Sequence, residues 1–194
     1  IWAGHKDSPY ESFDQLIEAM KEPGKVSSGI IYGNGGHLQT ILAMQALDIP
    51  EDNVRFVTYD GGAPLRTALA GNQVDFEVLA ARGAASIMDN LRVLAVVNDN
   101  APQDAEAPSL NDALVNLGAE AQPVIGGNIT GLIVPAALKT EALVAAYEAV
   151  VSSEDYKAAA KEAGVGSDWV GPVDSQKMVD DAYEALSALS DVIE

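Results

Sequence analysis

Apolar and polar positions along the chain switch between two periods. Short apolar runs of strand length occupy Lys25 to Tyr32, Val54 to Tyr59, Val74 to Ala80 and Leu91 to Val97. Ile1 to Lys6 reads as the last part of another strand. Helical spacing fills the gaps. Ser12-Phe-Asp-Gln15 has the capping-box form, Leu16, Ile17 and Met20 then share one face, and Glu22-Pro-Gly24 ends that helix. Leu38, Ile41 and Leu42, with Leu47 a turn later, predict a second helix that stops near Asp48-Ile-Pro50. Pro64 suits the first turn of a third, Leu65 to Ala70, and a short one falls near Ala84 to Met88. Alternation of strand and helix predicts an α/β fold with a parallel sheet and crossover helices.

The second half reads differently. Asn98 to Pro108 is a polar, proline-containing surface loop. Ser109-Leu-Asn-Asp112 starts a short helix that Gly118 ends. Gln122 to Pro135 holds two apolar runs split by Gly126-Gly-Asn128, the pattern of a crossover between lobes. Three helices follow: Lys139 to Val151, with Leu143, Tyr147 and Val150 on one face; Ser153 to Ala163, stopped by Gly164; and Asp174 to Ile193, with a stripe at Val179, Tyr183, Leu186, Leu189 and Ile193.

Two glycine-rich turns carry the candidate chemistry. The first, Tyr32-Gly-Asn-Gly-Gly-His37, joins a strand to a helix with Asn34 as N-cap. The first amides of such a helix have no internal partner and lie at the positive end of its dipole, so they suit a carboxylate or phosphate. An ordinary strand-to-helix turn uses the same letters. His37 can hydrogen-bond a ligand or orient the turn, and His5 has no ligand-spaced partner. The second turn, Tyr59-Asp-Gly-Gly62, exposes amides after the next strand. Arg82 follows a third strand, where it can line the same rim or, as surface arginines more often do, stay in solvent. In parallel sheets ligands sit beyond the carboxyl ends of the strands, where both turns fall. The first turn is neither a Walker loop nor a G-x-G-x-x-G fingerprint, and there is no G-x-S-x-G elbow or H-E-x-x-H. No side-chain set stands out as nucleophile or acid–base pair.

Composition narrows the field. The 194 residues are 48% hydrophobic with near-neutral mean hydropathy, as in globular chains. Eleven basic residues stand against 29 acidic ones, for a net charge of −18. That excess argues against nucleic acid or an anionic membrane surface as partner, and requires any anionic ligand to be held by local donors. No apolar run is long enough to insert in a bilayer. The absence of cysteine excludes disulfides and thiolate chemistry. The chain begins at Ile1 without an initiator Met, which leads us to expect a processed or shortened product.

At the two turns the chain resembles the solute-binding receptors of the tripartite tricarboxylate transporter family, also called Bug or TctC-like proteins. Ser8-Pro-Tyr-Glu-Ser-Phe-Asp-Gln-Leu16 is similar to that family's S-P-Y-K-T-L-x-D-L, Glu22-Pro-Gly-Lys25 to N-P-G-K, and Asn34-Gly-Gly-His-Leu38 to S-x-x-H-L. Val57-Thr-Tyr-Asp-Gly-Gly-Ala-Pro64 resembles V-P-Y-K-G-G-x-P, Gly71-Asn-Gln-Val-Asp75 resembles G-G-Q-V-D, and Leu91-Arg-Val-Leu-Ala-Val96 resembles L-R-A-L-A-V. Pro108-Ser-Leu110 sits where the family has P-T-V-x-E.

The resemblance implies a periplasmic-binding-protein-like "Venus flytrap" that captures a small carboxylate without chemistry or cofactor and delivers it to membrane permease subunits. It implies three segments: residues 1–7 ending a first-lobe segment, 8–125 forming the second α/β lobe, and 126–194 crossing back as helices of an incomplete first lobe. Carried over, Tyr32, Gly33, Asn34, Gly35, Gly36 and His37 form one binding loop, and Tyr59, Asp60, Gly61 and Gly62 the other. The ligand is a dicarboxylate, amino acid or aromatic acid, and the location is periplasmic. Ile31, Asn34 and Asp60 depart from the Gly, Ser and Lys usual there, and Asp60 reverses a charge. The alternative from the residues alone is an α/β enzyme that cradles a phosphate or cofactor in the turn at 32–37.

Overall fold

The computed structural model of the chain describes residues 1–97, 107–122, 131–135, 138, 140–163 and 167–187. The chain divides into two compact units, one of Ile1–Gly127 with Val192–Glu194, the other of Asn128–Asp191.

The first unit is built on a five-stranded sheet of β1 (Trp2–His5), β2 (Val26–Ile30), β3 (Val54–Thr58), β4 (Phe76–Val78) and β5 (Leu91–Ala95), in the order β3-β2-β4-β1-β5. β2 is parallel to both β3 and β4, whereas β1 is antiparallel to both β4 and β5. Four strands therefore run one way and β1 the other, so the expected parallel sheet is mixed at one strand. β1 forms there because Trp2 and Ala3, both fully buried, supply apolar surface to opposite faces. Residues 2–5 thus lie inside this sheet, between the strands of the segment that follows them.

Local chemistry explains the helices. α1 (Phe13–Met20) starts at Ser12, whose Oγ accepts from Gln15 N–H at 3.3 Å while Gln15 Oε1 accepts from Glu11 N–H at 2.8 Å. α2 (Gly35–Ala46) is buried on nearly every side from His37 to Met44, wider than the stripe its leucines and isoleucine predicted. α3 (Gly62–Ala70) begins three residues earlier than the pattern implied. α4 (Ala81–Ala84) runs into a 3₁₀ turn over Ala85–Asn90, and α5 (Leu110–Asn116) is capped by Ser109 Oγ, which accepts from Asp112 N–H at 3.1 Å.

Two apolar clusters clamp the sheet. On one face α1, α2 and α5 pack over Trp2, which stacks on Phe76 (5.2 Å, 3°) and meets Phe13 edge-on (5.2 Å, 84°). On the other, Ala68 and Leu69 of α3 join Ile1, Ala3 and Val74. β2 and β4 are further tied by Asp75, whose Oδ2 accepts from Ser27 N–H at 2.7 Å and Ser27 Oγ–H at 2.6 Å.

The second unit contains α6 (Glu141–Val151), α7 (Glu154–Glu162) and α8 (Pro172–Ser187). Ser153 Oγ caps α7 by accepting from Tyr156 N–H at 3.2 Å, and Tyr147 meets Trp169 edge-on at 5.6 Å. The predicted apolar faces are present but uncovered: Leu143, Val150, Val179, Tyr183 and Leu186 are exposed. The stretch 98–106 of the predicted loop, the glycines at 126–127, Gly164, Leu189 and Ile193 lie outside the described residues.

Candidate functional site

Strand pairing puts the two glycine turns together. Ile30 ends β2 opposite Thr58 of β3, and Tyr59 N–H donates to the Ile30 carbonyl at 2.8 Å. Both turns therefore leave the same end of the sheet from neighbouring strands. β4 runs parallel to β2, so the residues after Val78, through Arg82, leave from that end as well.

The first turn is held by its own hydrogen bonds. Gly33 takes φ +71°, Asn34 N–H donates to the Ile31 carbonyl at 3.0 Å, and Asn34 Oδ1 caps α2 by accepting from His37 N–H at 2.9 Å. Gly33 N–H donates to His37 Nδ1 at 3.1 Å. That acceptor role assigns the proton of the neutral ring to Nε2. The His37 ring is buried between Tyr32 (5.2 Å) and Phe56 (5.2 Å, 85°), and burial lowers its pKa. Of the two roles open to it, the bond and packing describe the orienting one. Gly36 is pressed against the Val78 carbonyl, where a Cβ would collide. Among the described residues, the amides of Gly35 and Gly36 meet no acceptor. Tyr32 stands out at 63% exposure.

In the second turn the ring of Tyr59 packs on the α3-side cluster, so it belongs mainly to the core. Asp60 is exposed, Gly61 is extended, and Gly62 opens α3. Among the described residues the amides of Asp60, Gly61 and Gly62 also meet no acceptor. Two sets of free N–H groups, each at the start of a helix of nine or more residues, thus share one edge of the sheet.

Two side chains at this edge were missed by the sequence reading. Arg66, one turn into α3, reaches back so that its Nη1 lies 2.8 Å from where a Gly62 Cβ would stand and 3.2 Å from that of Gly83. Arg82 is exposed, in keeping with a solvated surface arginine, and it is Arg66 that lies along the glycines of this edge. Glu77 is fully buried in β4, opposite Gly29 of β2, and neither of its oxygens has a hydrogen-bond partner among the described residues. Burial pushes its pKa up to about 8, against the opposing field of Arg66. The signals were a glycine pair ending four residues before an arginine, and an acid set between Phe76 and Val78 in an apolar run. Chemically, the edge offers N–H donors and the Arg66 guanidinium beside them. Among the described residues no group of three His, Asp or Glu is placed to hold a metal ion, and no helix is long and apolar enough to cross a membrane.

No protein-family profile matches the chain, and no curated protein does. Solved structures do. The R. palustris protein Rpa4515 with adipate is 22% identical, with a TM-score of 0.76 over 100% of this chain and 64% of its own. A TctC solute-binding protein from Polaromonas is 17% identical, with a TM-score of 0.62 over 95% of this chain and 63% of its own. MatC from Rhodopseudomonas palustris with bound malate is 15% identical, with a TM-score of 0.63 over 100% of this chain and 66% of its own. The likeness is one of fold: the chain has the mixed α/β architecture seen in TctC-type solute-binding proteins. It spans less than two thirds of the length of these relatives.

Proposed function

We propose that the chain forms part of an extracytoplasmic solute-binding receptor. It captures a small carboxylate and hands it unchanged to the membrane permease of a tripartite-tricarboxylate-type transporter in the periplasmic space. The observation that carries this reading is the pair of free-amide turns, 32–37 and 59–62, on neighbouring strand ends. Gly35, Gly36, Asp60, Gly61 and Gly62 donate amides to the carboxylate; Gly33, Asn34 and His37 keep the first turn in shape; Tyr32 and Tyr59 flank the two turns. Neither a cofactor nor a reaction is called for. Relatives of the same fold hold adipate and malate, which favours a dicarboxylate. The segments 1–7, 8–125 and 126–194 take the roles of crossover, ligand-binding lobe and returning helices. The exposed apolar faces of α6 and α8 then pack on first-lobe sequence of the kind that makes the relatives longer.

Thermal shift and calorimetry with mono- and dicarboxylates, adipate and malate included, test this. A ligand at a hundred times its Kd should add about 2.7 kcal/mol of stability. Asp60→Lys should tighten dicarboxylate binding about two- to threefold at low salt, an effect that fades with added salt. No stabilisation by any acid, or stabilisation by nucleotides with turnover, removes the reading.

A further inference from the structure

The second unexplained feature of the sheet edge is the buried acid beneath it. Across one face of the sheet the in-register residues are Val93, Ala3, Glu77, Gly29 and Val57. Glu77 is the long side chain in a row where its two neighbours are the smallest available. A Cβ on Gly29 would lie 2.5 Å from Glu77 Oε1, so the carboxyl lies in the space that glycine leaves. This is the face that α3 covers with Ala68 and Leu69. Of the elements on it, β1, β2, β3 and β5 contribute uncharged residues to the row, and Arg66 of α3 is the charged group whose field reaches Glu77. Arg66 makes no ion pair or hydrogen bond among the described residues. Its guanidinium instead lies along Gly62 and Gly83, at the strand-end edge.

The charge of Arg66, which lies along Gly62 of the second turn and whose field reaches Glu77, therefore has two candidate claimants, the buried Glu77 carboxyl and an anion at the turns. We propose that Glu77 and Arg66 couple carboxylate capture to a proton: Glu77 stays a neutral acid while Arg66 faces the ligand, and on losing its proton Glu77 draws on the same charge and loosens the ligand's hold. The proposal rests on the receptor reading given above. An ionised carboxylate in that position adds a negative charge inside a low-dielectric interior, where little screening separates it from Arg66. By linkage, a bound anion must in turn favour the protonated acid. The balance is a fraction of a proton taken from solvent on binding, largest where the pH lies between the pKa values of Glu77 in the free and the bound chain. Because Glu77 carries its proton up to about pH 8, uptake is seen near and above that value.

Calorimetry of the chain with adipate and malate at pH 6.5 and 9.5, in buffers of different ionisation heat, is the test. Binding should weaken about fivefold or more at the higher pH. Just above pH 8, between the pKa values of Glu77 in the free and bound chain, binding should take up a fraction of a proton. Glu77→Gln should bind with the same affinity at both pH values and take up none, while Arg66→Gln should bind weakly at both. A ligand-free measurement guards against a poorly behaved variant. Native Glu77 keeps a proton that the unfolded chain releases from pH 4.5 upward, so its contribution to stability falls between 4.5 and about 8. Glu77→Gln should match the wild type near pH 4 and gain on it steadily to pH 8. Equal wild-type affinity at both pH values leaves the receptor standing and overturns the proton coupling, as does a pH-independent stability offset between the two proteins. No binding of any carboxylate to wild type or variant overturns both.

Discussion

His37 shows how one buried side chain sets a turn. It receives the Gly33 amide, packs on Phe56, and its backbone N–H completes the Asn34 cap. His37→Ala should cost about 2–3 kcal/mol in chemical denaturation, since it leaves both a hole and an unpaired donor. The part of the stability that His37 controls should be lost as pH falls below 6.5. The unfolded chain protonates this imidazole there, while burial holds the native ring neutral to lower pH. The variant should lack that part of the slope. The two glycines of the same turn separate two causes. Gly33→Ala meets open space but keeps φ +71°, so about 1 kcal/mol is expected. Gly36→Ala drives a methyl into the Val78 carbonyl and should cost more than about 2 kcal/mol, or shift α2 off the end of β4. Urea titrations of the pair distinguish the two.

Among the elements, those with strong local signals were legible: the Ser12 and Ser109 caps stand where residue types alone put them, and the strands before both glycine turns end one or two residues earlier than the apolar runs do. What the pattern could not supply was partnership. β1 is too short and mixed to declare its neighbours, and its antiparallel place between β4 and β5 depends on which strands have room for Trp2 and Ala3. The breadth of burial on α2 likewise reflects what surrounds it. Asp75 illustrates a link that spans 48 residues of sequence: its carboxylate serves both donors of Ser27, a nearly fully buried residue. Asp75→Ala should lower stability by about 2–3 kcal/mol by stranding those donors. Hydrogen exchange at the Ser27 amide should accelerate in the same variant.

For the molecule as a whole, the two units differ in how much apolar surface they bury. Among the described residues the fully buried side chains lie chiefly in the sheet and in α1, α2, α3 and α5 of the first unit, whereas α6 and α8 expose most of their apolar ones. Hydrogen-exchange mass spectrometry should therefore find α6–α8 exchanging much faster than the β1–β2–β4 core. Equal protection would show that those faces are covered in solution. With 18 surplus negative charges, the chain should also gain stability as salt is raised. The sequence by itself determined the periods, the caps, the glycine turns and the acidity, because each is written in neighbouring residues. Tertiary structure alone decided that both turns open from adjacent strand ends, that Arg66 lies along them, and that Glu77 is sealed below. Those facts depend on strand order and register, which bring together residues that no local spacing relates.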